Sequence, residues 1–244
     1  MIHLPIHTQP DDETCGPTSL HAVYQFFGHA ISLPQLIEHI PRSASGGTLA
    51  PFLGQHALMQ RFQATLYINN LNLFDPTWFA HEETPNAFLI QKLRAQRLRQ
   101  RHRATLIASH AYEKFLELGG TIRFRTLNVN LLKKYFSQNI PIITALSSTY
   151  LYRCARERIT STRRSVYDDI HGKPCGHFVV LCGYDDKKRS IVIADPHQKN
   201  PISHDNYYKV PISRLINAIL LGVFTFDANL LIIQPEEASP CKQS

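Results

Sequence analysis

The sequence predicts an α+β protein in which an N-terminal helical part packs on a largely antiparallel β-sheet. In the first quarter of the chain, apolar residues recur at the three- and four-residue spacing of amphipathic helices. From Thr121 onward, most apolar segments are short and bounded by polar residues, which is typical of strands. Because helices come first and strands come later, an antiparallel sheet is favoured over a parallel, doubly wound one.

The first helix of the predicted helical part begins at a cysteine. The first helix starts at Cys15 and ends near Gly28, a residue type that commonly follows a helix C-terminus. The sequence Ser32-Leu33-Pro34-Gln35 has the form of a capping box and opens a second helix. The other elements predicted here are a short strand over residues 1–5, a loop at 43–47, a helix over about 49–62 and a strand over 64–68.

Two further helices are predicted in the middle of the chain, over about 86–103 and 104–118, after a proline-containing loop at 69–85. The second of them ends at Gly119-Gly120, where glycine again suits a helix C-terminus. The first carries the basic run Lys92–Arg103, whose charged face we expect to be solvated.

The second half of the chain supplies most of the predicted sheet. A polar, Arg-rich stretch at 147–173 divides it, and the tail at 236–244 is expected to be loose. The predicted elements are strands over 121–127, 140–146, 176–183, 189–194 and 229–234, an extended segment at 207–210, and helices over about 129–138 and 212–220.

Composition places the chain among folded, soluble proteins, with 244 residues, 43% hydrophobic and 18% charged, and a net charge of +7. Net charge bears on solubility and non-specific association rather than on the reaction. The sequence has no basic and then apolar signal segment, and no apolar run of the ~20 residues that a membrane span needs. We therefore expect a cytoplasmic protein without a membrane span. Five scattered cysteines form no C-x-x-C pair and are expected to be free thiols: Cys15, Cys154, Cys175, Cys182 and Cys241.

Cys15 is the candidate nucleophile. A thiol at a helix N-terminus faces unpaired backbone N–H groups and the positive end of the helix dipole, both of which favour the thiolate. Pro17 is tolerated in the first helical turn. The alternative is a buried structural cysteine, the commoner fate of a lone Cys. The polar run Asp11–Thr14 argues against burial because it should hold the helix entry near solvent.

A predicted hairpin supplies the base that a thiolate nucleophile needs. If the chain turns about Asp186 and Lys187, His177 lies beside residues 195 and 196 of the returning strand. Asp195 can then accept from one imidazole nitrogen, which leaves the other nitrogen to face the thiol. The alternative is that His177 is an ordinary histidine at a strand end and that Asp195-Pro196 only forms a turn.

Gln9 is the candidate oxyanion donor. Acyl transfer builds negative charge on the carbonyl oxygen, and its natural donors are the Cys15 backbone N–H and a nearby side-chain amide. Gln9 stands six residues before Cys15 and can fold back toward it. The alternative is a solvated loop glutamine.

These residues fall into two blocks. One joins Gln9 to Thr14-Cys15-Gly16-Pro17-Thr18-Ser19-Leu20, and the other joins the segment from His177 to Asp185 with Ala194-Asp195-Pro196. Together they resemble the papain-like cysteine peptidases of the bacteriocin-processing (double-glycine leader) peptidase-like family. The resemblance covers about half of the chain.

The resemblance implies a papain-like fold and a cysteine peptidase that acts on a peptide or protein substrate. We expect no cofactor and no metal. It implies that Cys15 is the nucleophile, His177 the general base and acid, Asp195 the group that orients the imidazole, and Gln9 part of the oxyanion hole.

The resemblance also implies a single peptidase domain over residues 1–235. The segment at about 71–118 is longer than a compact peptidase core needs, and we interpret it as an insertion. Family members that process exported peptides are fused to a membrane transporter. This sequence has neither membrane spans nor a phosphate-binding loop of the Walker type, so we do not expect leader-peptide export.

Other functions remain open at this point. The same thiol chemistry supports deamidation or acyl transfer, and a papain-like domain can bind a peptide without cleaving it. Nucleic-acid binding through Lys92–Arg103 is disfavoured because the run has no interleaved aromatic residues. A metal site is disfavoured because its candidate ligands are poorly spaced; they are His171, Cys175, His177 and Cys182.

Overall fold

A seven-stranded sheet with helices on both faces forms the centre of the protein. The computed structural model describes residues 1–42, 47–81, 83–160, 165–225 and 228–236. The helices are α1 (Cys15–Phe26), α2 (Leu33–His39), α3 (Ala50–Met59), α4 (Asn86–Arg97), α5 (Arg103–Glu117), α6 (Val129–Phe136), α7 (Ser148–Tyr152) and α8 (Ile212–Leu221), with 3-10 turns at Pro76–Phe79 and Gly222–Thr225. The strands are β1 (Phe62–Ile68), β2 (Thr121–Arg123), β3 (Ile142–Ser147), β4 (Glu157–Ile159), β5 (Ser165–Tyr167), β6 (Gly176–Asp185), β7 (Ser190–Ala194), β8 (Tyr207–Pro211) and β9 (Asn229–Pro235).

The sheet is almost wholly antiparallel. Its strand order is β2-β1-β9-β3-β6-β7-β8, and β4 and β5 form a separate two-stranded hairpin. Strands β1 and β2 are parallel, whereas every other described neighbour pair is antiparallel. The α+β class predicted from the sequence is therefore confirmed.

Successive residues of the central strands enter two different cores. In β3, Ile143 and Ala145 belong to the core beneath α1 to α5, whereas Ile142 and Leu146 belong to the core beneath α6 and α8. This division follows from the two-residue period of a strand. Burial on both faces explains why β3 and β6 are apolar at nearly every position.

Helix α1 packs directly on β6. The Ser19 hydroxyl donates to the Phe178 carbonyl oxygen at 3.2 Å. At Gly16 the helix approaches its neighbours so closely that an added Cβ would lie 2.4 Å from the Thr48 methyl carbon and 3.3 Å from a Phe178 ring carbon. Glycine thus permits a close contact that sets the N-terminus of α1 against the start of β6.

The stretch at 147–173 is more ordered than its polar sequence predicted. It contains α7 and the β4–β5 hairpin. Helix α7 forms because the Ser147 side chain accepts from the Tyr150 amide at 3.4 Å and because Leu151 is fully buried. The exposure of β5 explains why the hairpin shows no apolar pattern.

Several predicted elements extend beyond the helices and strands that the structure shows. Helix α4 ends at Arg97, and in the turn that follows, the Gln100 side chain accepts from the next two backbone amides at 2.9 Å each. Strand β2 ends at Arg123, since its partner β1 ends one residue beyond the paired Tyr67. Residues 1–5 form no regular strand, although the Ile2 amide donates to the Cys182 carbonyl oxygen at 2.8 Å.

Other predictions are not tested. The loop at 43–47 and the tail at 236–244 fall mostly outside the described residues, which include only Gly47 and Glu236 of them. The segment at 71–118 contains the first 3-10 turn, α4 and α5, and its Leu89 and Phe115 are fully buried in the same core as α1. Its origin as an insertion stays a prediction, as does the single domain over 1–235. Across the described ranges, no helix combines the length and apolar character needed to cross a membrane.

Candidate active site

Cys15 is the first residue of α1 and is 6% exposed. The preceding residue, Thr14, does not cap the helix with its side chain. Its hydroxyl donates instead to the Asp11 carbonyl oxygen at 3.2 Å. The first backbone N–H groups of a helix have no intrahelical acceptor. The amides around the thiol are therefore able to receive an anion.

His177 lies at the start of β6, opposite Leu146 of β3, and is 7% exposed. Its Nε2 atom lies 2.8 Å from Asp195 Oδ1. The predicted contact between this imidazole and this carboxylate is present.

The strand register behind that contact differs from the prediction. Val180 pairs with Ala194, and a bulge between Leu181 and Gly183 shifts the pairing by one residue. The ladder ends before Asp195, whose amide donates instead to the Asn206 carbonyl oxygen at 2.7 Å. Asp195 therefore reaches His177 diagonally rather than as a directly opposite neighbour.

Asp195 is completely buried and accepts four hydrogen bonds. Its Oδ1 atom accepts from His177 and from the His197 amide, each at 2.8 Å. Its Oδ2 atom accepts from the hydroxyls of Tyr152 at 2.8 Å and Tyr208 at 2.6 Å. Burial alone raises the pKa of Asp195, but the His177 charge and these hydrogen bonds outweigh it and hold the pKa below its usual value.

Cys15 also acts on the His177 ring, because its charge and a hydrogen bond to it contribute to the pKa of His177. Because Asp195 takes Nε2, the nitrogen left for the thiol is Nδ1. Burial by itself lowers the pKa of His177, yet the charges of Asp195 and Cys15 and their hydrogen bonds raise it to about 10. These interactions favour the protonated imidazolium form of His177.

Gln9 lies in the loop that leads to α1. Its backbone amide donates to the Pro196 carbonyl oxygen at 2.9 Å, which ties this loop to the segment after Asp195. Its side-chain amide donates to the Asp11 carbonyl oxygen at 2.8 Å. The side-chain oxygen of Gln9 is buried and has no hydrogen-bond partner among the described residues.

Sequence reasoning missed Tyr152, Tyr208 and His197. The rings of Tyr152, His177 and His197 lie 6.0–6.2 Å apart, centre to centre, and each of these residues hydrogen-bonds the Asp195 carboxylate. Tyr152 lies in the stretch at 147–173, whose polar, Arg-rich sequence does not indicate a buried side chain. Tyr208 had one signal in the sequence, since Tyr208 and Val210 alternate about the polar Lys209, and this strand period predicts an inward side chain.

The basic run on α4 is partly used within the fold. Arg94 and Arg97 both form ion pairs with Glu113 of α5, and Arg97 keeps only 14% of its side chain exposed. The prediction that this face is solvated is wrong at Arg97, because the helix packs against α5 there. Among the described residues, no group of three or more His, Cys, Asp or Glu side chains could hold a metal ion.

A comparison with protein families decides where the chain belongs. The model of the Peptidase_C39-like family matches residues 1–217. The chain belongs to the Peptidase_C39-like family. With the α+β architecture described above, this membership confirms the papain-like peptidase fold. No curated protein matches the chain.

Solved structures similar to this C39-like chain include three peptidases. The peptidase domain of Streptococcus ComA, a bifunctional ABC transporter in quorum sensing, is 14% identical, with 96% of this chain and 100% of that one covered and a TM-score of 0.44. A protein described as a C39-like peptidase from Bacillus anthracis is 16% identical, with 96% of each chain covered and a TM-score of 0.44. A double-glycine-motif protease from an AMS/PCAT transporter, solved with its leader peptide, is 15% identical, with 96% and 92% covered and a TM-score of 0.41.

Proposed function

We propose that this C39-like protein is a cysteine peptidase that hydrolyses a peptide or peptide-like amide bond. The observation that carries the proposal is the 2.8 Å hydrogen bond between His177 and the buried Asp195 carboxylate, with the Cys15 thiol contributing to the raised pKa of the same imidazole. A nucleophile within hydrogen-bond reach of a base, which a third group orients, is the arrangement that covalent acyl transfer needs.

In the proposed reaction, Cys15 Sγ attacks the substrate carbonyl carbon and forms a tetrahedral adduct. His177 then gives its proton to the leaving amine as the C–N bond breaks, which leaves a thioester on Cys15. His177 next takes a proton from water, and the resulting hydroxide attacks the thioester. The carboxylic acid product leaves, and the thiolate and imidazolium are restored.

The developing oxyanion is proposed to bind to the Cys15 backbone N–H and to the side-chain amide of Gln9. The primary amide of Gln9 has two N–H groups, and the Asp11 carbonyl oxygen needs only one of them. The second can therefore donate to an oxyanion. The bond from the Gln9 backbone to Pro196 supports this role because it holds the loop beside the His177 side of the site.

Digestion of a peptide library, followed by mass spectrometry, tests the proposal. We expect wild-type protein to cleave a subset of peptides and Cys15→Ala to cleave none. Cys154→Ala is the matched control, because it removes a half-buried free thiol from outside the proposed triad. Product masses separate hydrolysis from deamidation and from transfer to an amine, which share the same thioester. Absence of any turnover, or equal turnover by Cys15→Ala, would contradict the proposal.

A further inference from the structure

The carboxylate of Asp195 is held by more than the histidine it faces. An ionised carboxylate has about four lone-pair sites, and here all four are used. Oδ1 accepts from His177 and from the His197 amide, while Oδ2 accepts only tyrosine hydroxyls among the described residues. Rotation of the carboxylate about its Cβ–Cγ bond would break the bonds on both oxygens together.

The two hydroxyls come from independent elements of the fold. Tyr152 is the last residue of α7, and Arg153 after it takes the left-handed conformation that ends the helix. Tyr208 lies on β8, where it pairs with Ile193 of β7. Asp195 is thus fixed from one side by a helix that follows β3 and from the other by the edge strand.

Both tyrosines are suited to remain donors. Burial raises the pKa of Tyr152 and of Tyr208, and the negative charge of Asp195 raises both further. The phenols therefore stay protonated throughout the neutral range. The centre of the Tyr152 ring also lies 6.0 Å from that of His177, so the ring neighbours the histidine while its hydroxyl binds the carboxylate.

We propose that Tyr152 and Tyr208 are positioning residues that clamp Oδ2 of Asp195 so that Oδ1 stays aimed at His177. This inference rests on the proposed peptidase function and adds to it two residues that act through the carboxylate without contacting the substrate. A solvated carboxylate with two free lone-pair sites on one oxygen would exchange its hydrogen-bond partners with water. The clamp prevents that exchange and keeps the imidazole in one orientation for both proton transfers.

The hydroxyls are removed one at a time, as Tyr152→Phe and Tyr208→Phe, which retain the rings. Each change is expected to lower kcat on the order of 10-fold, since it deletes one hydrogen bond to a charged group. KM is expected to stay nearly constant because neither hydroxyl is placed at the substrate. Loss of a donor also raises the pKa of Asp195, so the pH at which its protonation disturbs the His177 resonances in NMR should move upward.

Tyr67→Phe is the matched control. Tyr67 and Tyr208 are each 7% exposed, and the Tyr67 hydroxyl makes a buried hydrogen bond, of 2.7 Å to the Tyr135 hydroxyl, away from Asp195. It should change neither kcat nor the acid response of His177. Equal effects in all three variants, or an unchanged His177 response in both clamp variants, would overturn the proposal.

The NMR titration needs no substrate, so it separates the two proposals. If Cys15→Ala proved the peptidase function wrong, a shifted His177 response in Tyr152→Phe and Tyr208→Phe would still support the clamp. If the peptidase function held and the response did not move, the clamp alone would fail. Two variants on separate elements guard against the misfolding of either one.

Discussion

Replacement of Gly16 by alanine should separate the two halves of the candidate site. The new Cβ would lie 2.4 Å from the Thr48 methyl carbon, whereas carbon atoms in contact stand ~3.5–4.0 Å apart. One of the two groups must therefore move by roughly 1 Å. Thr48 is held because its hydroxyl donates to the Pro41 carbonyl oxygen at 2.8 Å. Part of the strain is then relieved by displacement of α1, which carries Cys15, relative to β6, which carries His177.

The expected magnitude follows from that distance. Misplacement of reacting groups by about 1 Å costs on the order of 10²-fold in rate. Overpacking of a close contact costs about 1–3 kcal/mol of folding free energy. Gly16→Ala should therefore lower kcat/KM ~10²-fold while the protein still folds. If no substrate is in hand, the alkylation rate of Cys15 provides the same comparison.

A control and a rescue make the test decisive. Gly47→Ala lies close by in the sequence, where an added Cβ would meet no atom of the described residues within 4 Å, and should leave the rate unchanged. Thr48→Ala removes the clashing methyl, so Gly16→Ala combined with Thr48→Ala should recover most of the lost activity. The reasoning is refuted if Gly16→Ala has wild-type activity, or if the double variant is no faster than Gly16→Ala alone.

Three further predictions concern the site and the pH dependence of stability. Gln9→Ala should lower kcat by ~10²–10³-fold through loss of an oxyanion donor, and steady-state kinetics with an unchanged kcat would exclude that role. The folded-state pKa of His177 is raised from 6.5 to about 10. The His177–Asp195 pair should therefore make its full contribution to stability at pH values below 6.5 and lose that contribution as pH rises toward about 10. Urea unfolding of wild type and His177→Gln between pH 6 and 10 measures the difference, which should shrink with pH; a constant difference would contradict it. His56 has the opposite effect on the pH dependence of stability, because burial and the charges of two neighbouring histidines lower its pKa to about 4. The free energy of unfolding should therefore fall as pH drops from 6.5 toward 4. In His56→Gln, the free energy of unfolding should depend less on pH across that acid range. If the dependence matches that of wild type, other groups cause the acid response.

The sequence predicted those parts of the site that depend on local pattern. A cysteine before a proline and an amphipathic stretch is enough to place Cys15 at the start of α1. Two strands on either side of a polar turn are enough to bring His177 near Asp195. Both inferences need only neighbours within about twenty residues, where chain geometry leaves few choices.

The remaining features depend on packing between distant segments. The bulge between Leu181 and Gly183 changed the register behind the His177–Asp195 contact. Tyr152 reaches Asp195 across 43 residues of sequence because α7 is anchored by the buried Leu151. The sequence pattern does not predict Tyr152 as a partner of Asp195, because a single leucine in a polar stretch produces almost no periodic signal.

The most direct test of the central claim is the rate at which iodoacetamide modifies Cys15 at pH 6, located by peptide mapping. An ordinary thiol has a pKa of about 8.5 and is almost wholly protonated there. If the His177 imidazolium stabilises a thiolate, Cys15 should be labelled rapidly in wild type and scarcely at all in His177→Ala, while Cys154 reacts slowly in both. Equal labelling of Cys15 in the two proteins would contradict a functional Cys15–His177 pair.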